Sequence, residues 1–242
     1  MSLRAERDGA VLHLVIDRPA AKNALTLAMR QDLERLCAEA DADDTVAAVV
    51  LRAVGPVFCA GADIKEIAAL GGALPPTNPG AALRAVRKPV VCAVDGACVT
   101  GGLELALSCA WIVASDRAWF ADTHARLGVL PRWGMSALLP RTVGIRLAKE
   151  MTATGRRLDA AEALRVGLVT AVVPPEELDA HVRRVAAAAA ETHAAVVAAS
   201  LALYDDGAGL ALDEALALER ERALAWTPPD FGRDGFERGG FR

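Results

Sequence analysis

Aromatic residues are scarce: five Phe, four Trp and one Tyr make up 4% of the 242-residue sequence. A core with so few rings has to be built from Ala, Val and Leu, so its elements must approach one another closely. Positive charge is also short, with 27 Lys and Arg against 31 Asp and Glu, a net −4. That excludes the basic field on which a nucleic-acid binder depends. Five cysteines, at 37, 59, 92, 98 and 109, are an odd number scattered through apolar runs. With no CxxC or paired-His spacing, they read as buried free thiols in a reducing cytosol, and neither a disulfide framework nor a metal site is expected. No run of 18 uncharged apolar residues occurs, and Met1 to Glu6 has no signal-like apolar segment. The expectation is a soluble, cytoplasmic protein with no membrane partner. What the sequence has in quantity is apolar residues, 53% of the total, enough for a large core in one or two domains.

The rest of the chain is organised around Val90 to Leu107. Val90 to Val94, behind Lys88-Pro89, is a valine-rich run too short for a helix and reads as a buried strand. A Gly-containing turn follows, and Gly101-Gly102 then opens a run of helix formers, Leu103 to Ala110. A helix start leaves N–H groups without intrahelical partners at the positive end of the helix dipole, and glycine lets a ligand approach them. Glu104, three residues after Gly101, shares one face of the first turn with it. An N–H donor beside a carboxylate is equipment for moving protons next to a carbonyl. The same residues also fit a plainer reading, in which the glycines allow close packing and Glu104 complements the dipole. A dinucleotide site is excluded, because Thr100 to Glu104 is not GxGxxG.

Upstream, Leu3–Arg7 and Val11–Ile16 around Asp8-Gly9 predict a hairpin, with His13 facing solvent. Thr26 is a plausible N-cap for a helix carrying Met29, Leu33, Leu36, Cys37 and Ala40. Val46 to Val54 predicts a buried strand, and Phe58 to Glu66 a second glycine-bearing strand-to-helix corner. Gly71 to Gly80 predicts a mobile loop, and Ala81 to Val86 a short helix. Downstream, Trp111–Ser115 and Trp119–Ala121 predict strands, Asp122 to Arg132 is irregular, and helices follow at Ile145–Ala153 and Asp159–Arg165. The second of these has Asp159 as N-cap in a capping box with Glu162. Leu168 to Val173 predicts a strand, and Leu178–Tyr204 and Leu210–Trp226 predict helices. The expected division is an α/β core over 1–175, a helical region over 176–230 and a flexible tail over 231–242.

The two corners, together with Asp17-Arg18-Pro19, Asn23-Ala24-Leu25, Leu127-Gly128-Val129-Leu130-Pro131, Ala161 to Leu164 and Gly167-Leu168-Val169, resemble the enoyl-CoA hydratase/isomerase (crotonase) superfamily. The resemblance runs in the family's order over about residues 10 to 205. It implies a core of repeated ββα turns, a C-terminal helical region used in trimerisation (a homotrimer or a dimer of trimers), and an acyl-CoA thioester as ligand. No separate cofactor is implied, because coenzyme A is part of the substrate. It also implies that the N–H groups of Ala62 and Gly101 form an oxyanion hole on the thioester oxygen. Each such donor is worth roughly 3–4 kcal/mol against developing charge.

The family's hydratases pair two glutamates to hold water and carry the proton. Glu104 matches the first, whereas the second position holds His124. His124 then reads as an acid/base residue, a hydrogen-bonded loop residue or a solvent-facing group. Trp133, beside Arg132 where the family frequently has small residues, either lines the acyl pocket or simply packs. Ala60, Asp63 and Ile64 are implied to contact substrate, and Lys22 and Lys65 are either phosphate contacts or solvated surface residues. The resemblance implies an enoyl-CoA hydratase working through an enolate. An isomerase using Glu104 alone and a non-catalytic acyl-CoA binder are the alternatives.

Overall fold

The computed structural model describes residues 2–72 and 75–227, so the tail expected at 231–242 lies outside the described residues. The chain forms two compact units that meet between Ala198 and Ala199.

In the first unit, β1 (Leu3–Asp8) and β2 (Val11–Ile16) form the expected antiparallel hairpin. The Thr26 hydroxyl accepts from the Met29 N–H and starts α1 (Leu27–Ala42), which buries Met29, Leu33, Leu36, Cys37 and Ala40. There follow β3 (Ala48–Ala53), β4 (Val57–Cys59), α2 (Ile64–Ala69), α3 (Pro79–Ala85), β5 (Val90–Val94), β6 (Ala97–Val99) and α4 (Gly101–Leu107). Then come β7 (Trp111–Ser115), β8 (Trp119–Ala121), α5 (His124–Leu127), α6 (Met135–Val143), α7 (Ile145–Thr154), β9 (Leu158–Asp159), α8 (Ala160–Arg165), β10 (Ala171–Val173) and α9 (Leu178–Ala190). Asp159 caps α8 by accepting from the Glu162 N–H at 2.7 Å. The Glu162 carboxylate turns to Arg156 at 2.7 Å instead of closing the box.

A six-stranded sheet has the order β1-β2-β3-β5-β7-β10, parallel except for the hairpin, and a smaller sheet has the order β4-β6-β8-β9. Three times the chain passes from the large sheet to the small one and then into a helix: β3-β4-α2, β5-β6-α4 and β7-β8-α5. Parallel pairing in both sheets stacks these turns in register, with Val91 opposite Trp111 and Ala97 opposite Trp119. The β4–α2 and β6–α4 corners therefore become neighbours.

β5 is buried on both faces. Cys92 and Val94 join α1, α3 and α4 in one cluster, while Val91 and Ala93 pack with Leu178, Val182 and Ala186 of α9. The first helix beyond the expected boundary at 175 thus covers the sheet and belongs to the core. It also buries His13, which was expected to face solvent and is 1% exposed. Neither ring nitrogen of His13 has a hydrogen-bond partner among the described residues. Burial, reinforced by Arg183 and Arg52, holds its pKa below the usual histidine value. A depressed histidine pKa means that the unfolded chain binds the extra proton, so this contribution to stability is lost as pH falls below about 6.5. Replacing an unpartnered buried imidazole by an apolar side chain removes that loss. His13→Leu is expected to add about 1 kcal/mol, or about 2–4 °C in Tm, with a flatter acid limb in a melting series against pH.

The helix expected over Leu178–Tyr204 is broken at Glu191 to His193, where the Thr192 hydroxyl donates to the Ala189 carbonyl at 2.7 Å and competes with helix continuation. α10 (Ala194–Gly207) leads into the second unit, in which α11 (Leu212–Ala225) is tied back by an Arg222–Asp206 pair at 2.6 Å. α11 buries no side chain and exposes Leu212, Leu216 and Leu224. Among the described residues no single helix is long and apolar enough to cross a membrane. All five cysteines are free, and burial pushes the Cys37 and Cys59 thiols up to about 12.

Candidate active site

The first corner is shaped by a short pairing between Leu25 and Ala62. The Leu25 N–H donates to Gly61 O at 2.8 Å, and the Asp63 N–H donates to Leu25 O at 2.9 Å. This parallel pairing uses the groups flanking Ala62, so the Ala62 N–H points to the opposite side. Asn23 braces the loop, donating to Val54 O at 2.9 Å and Val57 O at 2.6 Å. Asp63 caps α2, accepting from the Lys65 N–H at 2.9 Å, and pairs with Arg18 at 2.6 Å. Its carboxylate is thereby committed to holding the corner.

At the second corner Thr100 has φ +55° and ψ −122°, a conformation unusual for a side chain branched at Cβ. Such strain costs on the order of 1–3 kcal/mol, and a hydroxyl–hydroxyl hydrogen bond to Thr123 holds it in place. The turn delivers Gly101 as the first residue of α4, where its N–H has no intrahelical acceptor. A side chain at Gly101 would lie 2.5 Å from Cζ3 of Trp133 and 3.0 Å from the Gly61 Cα. The two corners therefore meet backbone to backbone, and only glycine permits it. Ala62 and Gly101 line one cavity of about 110 Å³, together with Ala60, Ile64, Glu104, His124 and Trp133.

Glu104 is 2% exposed. Its Oε1 accepts from the N–H groups of Trp133 at 2.7 Å and Met135 at 3.1 Å, and its Oε2 lies 3.4 Å from Nε2 of His124. His124 begins α5 rather than standing in an irregular loop, and it is buried. Its Nδ1 is 2.7 Å from Oδ1 of Asp122, whose Oδ2 accepts from the Thr152 hydroxyl at 2.7 Å. Burial opposes a charge on His124, but hydrogen bonds and attraction from Asp122 and Glu104 outweigh it and raise its pKa to about 9. At neutral pH the ring is therefore an imidazolium between two acidic side chains. Burial likewise opposes charge on Asp122, yet bonds from His124 and Thr152 hold it below the usual carboxylate range.

Of the residues singled out in the sequence, Glu104, His124, Ala62, Gly101, Ala60, Ile64 and Trp133 converge on the cavity. Lys22 and Lys65 are exposed and do not line it, although the Lys22 carbonyl accepts from the Ala60 N–H at 3.1 Å and Lys65 follows Ile64 in sequence. Asp122, Thr152, Thr100 and Thr123 were missed. An Asp two residues before a candidate histidine was the available signal for the first, whereas Thr152 reaches the site from α7 with no local cue.

The stacked ββα turns are the crotonase fold, and the protein is an enzyme of that superfamily. The family model described as enoyl-CoA hydratase/isomerase matches residues 6–228, and the chain belongs to that family. It is 36% identical over 224 residues to a probable peroxisomal enoyl-CoA hydratase of Arabidopsis thaliana, covering 91% of this chain and 84% of that one. It is 34% identical over 235 residues to a carnitinyl-CoA dehydratase of Proteus mirabilis (strain HI4320), covering 94% of this chain and 89% of that one. Among solved structures, an enoyl-CoA hydratase from Mycobacterium tuberculosis H37Rv is 45% identical with a TM-score of 0.79, over 92% of this chain and all of that one.

Proposed function

We propose that the protein adds water to, or removes it from, a 2-enoyl-CoA thioester, with Glu104 as base and His124 as acid. The observation that carries this reading is the pair of Glu104 and the imidazolium of His124, which line one cavity with Ala62 and Gly101. The thioester oxygen accepts from the Ala62 and Gly101 N–H groups, which stabilise the enolate as charge develops. Glu104 takes a proton from water while the water oxygen bonds to C3, and His124 gives its Nε2 proton to C2. Transfer from Glu104 to His124 then restores the starting state. Two glutamates sharing one proton supply one acid and one base; here imidazole supplies the acid.

The alternatives are less well supported. An isomerase acting through Glu104 alone needs a carboxylate that swings between two carbons, and two backbone N–H groups anchor this one. A pure binder has no use for a buried charged pair. Incubation with crotonyl-CoA should bleach the conjugated-thioester absorbance as 3-hydroxybutyryl-CoA forms, while a 3-enoyl-CoA should not be converted at a comparable rate. Bond migration without hydration would favour the isomerase.

Lys22 and Lys65, exposed and adjacent to cavity-forming segments of the chain, would meet CoA phosphates as point charges. The uncovered leucines of α11, together with the family resemblance, support assembly as a homotrimer or a dimer of trimers, and the five free thiols suit a reducing, cytoplasmic setting. Light scattering at micromolar concentration should give three subunits or a multiple of three, and a stable monomer would contradict the assembly.

A further inference from the structure

One bulky side chain stands over the corner at Gly101. Trp133 is the largest residue on the wall and is 4% exposed. Its six-membered ring lies against the Gly101 Cα, with Cζ3 2.5 Å from where a β-carbon would stand. Its Nε1–H donates to the Thr77 carbonyl at 3.1 Å, in the segment leading into α3. The indole therefore spans from Gly101 to the segment that leads into α3. Its backbone is fixed as well: the N–H donates to Glu104 at 2.7 Å, and the carbonyl accepts from Arg84 Nη1 at 3.1 Å. The same Arg84 nitrogen donates to the Ser108 hydroxyl at 2.7 Å, so the strut is tied to the end of α4. A side chain held at the ring, the N–H and the carbonyl cannot swing aside to admit a longer substrate.

We propose that Trp133 sets acyl-chain length and restricts the enzyme to short acyl groups of about four carbons; this rests on the acyl-CoA reading of the site. The volume favours a small group: the cavity of about 110 Å³ is shared with Glu104, His124 and Arg132 and is smaller than the roughly 150 Å³ that takes a six-carbon ring. Ile64, Ile67, Leu127 and Val129 also line the cavity, and their apolar side chains suit a hydrocarbon. A longer chain would have to displace the indole and leave the Thr77 carbonyl without its donor, a penalty that discriminates between substrates more sharply than one extra methylene does.

The test compares two chain lengths in binding and in turnover. Butyryl-CoA and decanoyl-CoA, which cannot react, are titrated by calorimetry, and crotonyl-CoA and 2-decenoyl-CoA are assayed for hydration. The wild type should favour the four-carbon ligand by about 10²-fold or more in Kd and in kcat/KM. Trp133→Ala should shrink both ratios at least tenfold, chiefly by improving the long-chain arm. Trp133→Leu, which removes less volume, provides the same comparison if the alanine variant does not fold. Equal affinity for the two saturated ligands in the wild type, ratios unmoved by either substitution, or failure to bind either ligand would overturn the proposal. Chain-length selectivity in binding without any hydration would leave Trp133 as the gate and overturn the hydratase reading instead.

Discussion

Glu104→Gln should lower the hydration rate by about 10²–10⁴-fold while butyryl-CoA still binds. The substitution is nearly isosteric, and the amide oxygen can still accept from the Trp133 and Met135 N–H groups that hold Oε1 at 2.7 and 3.1 Å. The loop after α5 therefore keeps its anchor. What is lost is the group that takes the proton from water. A second loss follows from the geometry, because the amide nitrogen would face Nε2 of His124, now 3.4 Å from a carboxylate oxygen. An amide N–H opposite an imidazolium N–H sets two donors against each other, so His124 should titrate below its present value of about 9. The variant thus reduces the fraction of His124 that carries the proton as well as removing the base, and the effect belongs in kcat rather than in affinity. Single-turnover rates measured alongside calorimetry separate the two. A rate near wild type would remove Glu104 from the mechanism, and loss of butyryl-CoA binding would make its role structural.

The scaffold of this site was legible because its signals are local. Gly101-Gly102 behind a valine-rich strand has one compact explanation, as do Thr26 before α1 and Asp159 before α8. The elements that escaped are those whose signal is short or lies elsewhere in the chain. β6 has only three residues and exists because its neighbours β4 and β8 pair with it. α6 carries Pro140 inside it and follows Gly134, both of which read as breakers. His13 has a strand's alternation, but α9, more than 160 positions later, covers the face on which it sits. The state of His124 was hidden for the same reason. Its identity was plain, but its charge depends on Asp122, steadied by Thr152 from α7, and on Glu104 from α4. An ordinary imidazole acting as a base would lose its activity as pH falls through about 6.5. The surroundings reverse that expectation.

The reversed pH dependence is the second large effect. With its pKa raised to about 9, His124 is charged throughout the neutral range. If it donates the proton to C2, kcat/KM should stay level as pH falls from 8 towards 6, with no loss near 6.5, and should decline on the alkaline side near 9. The sign of the stability effect runs the same way. A raised histidine pKa contributes stability that is complete below about 6.5 and is lost as pH rises to about 9. Circular dichroism at each pH is therefore needed to separate a falling rate from a loosening fold. His124→Ala should cost about 10²-fold or more and erase the alkaline limb. Asp122→Asn keeps the ring but removes the carboxylate 2.7 Å from Nδ1, so the limb should move to lower pH while the neutral rate falls less. His124→Glu alone would set a second carboxylate against Asp122, so it should be paired with Asp122→Asn, and that double variant should recover part of the rate as a two-carboxylate site. An unchanged rate and profile in His124→Ala would make the residue a structural link between Asp122 and Glu104, whereas an acid-side loss near 6.5 in the wild type would mean that the neutral ring is the working form.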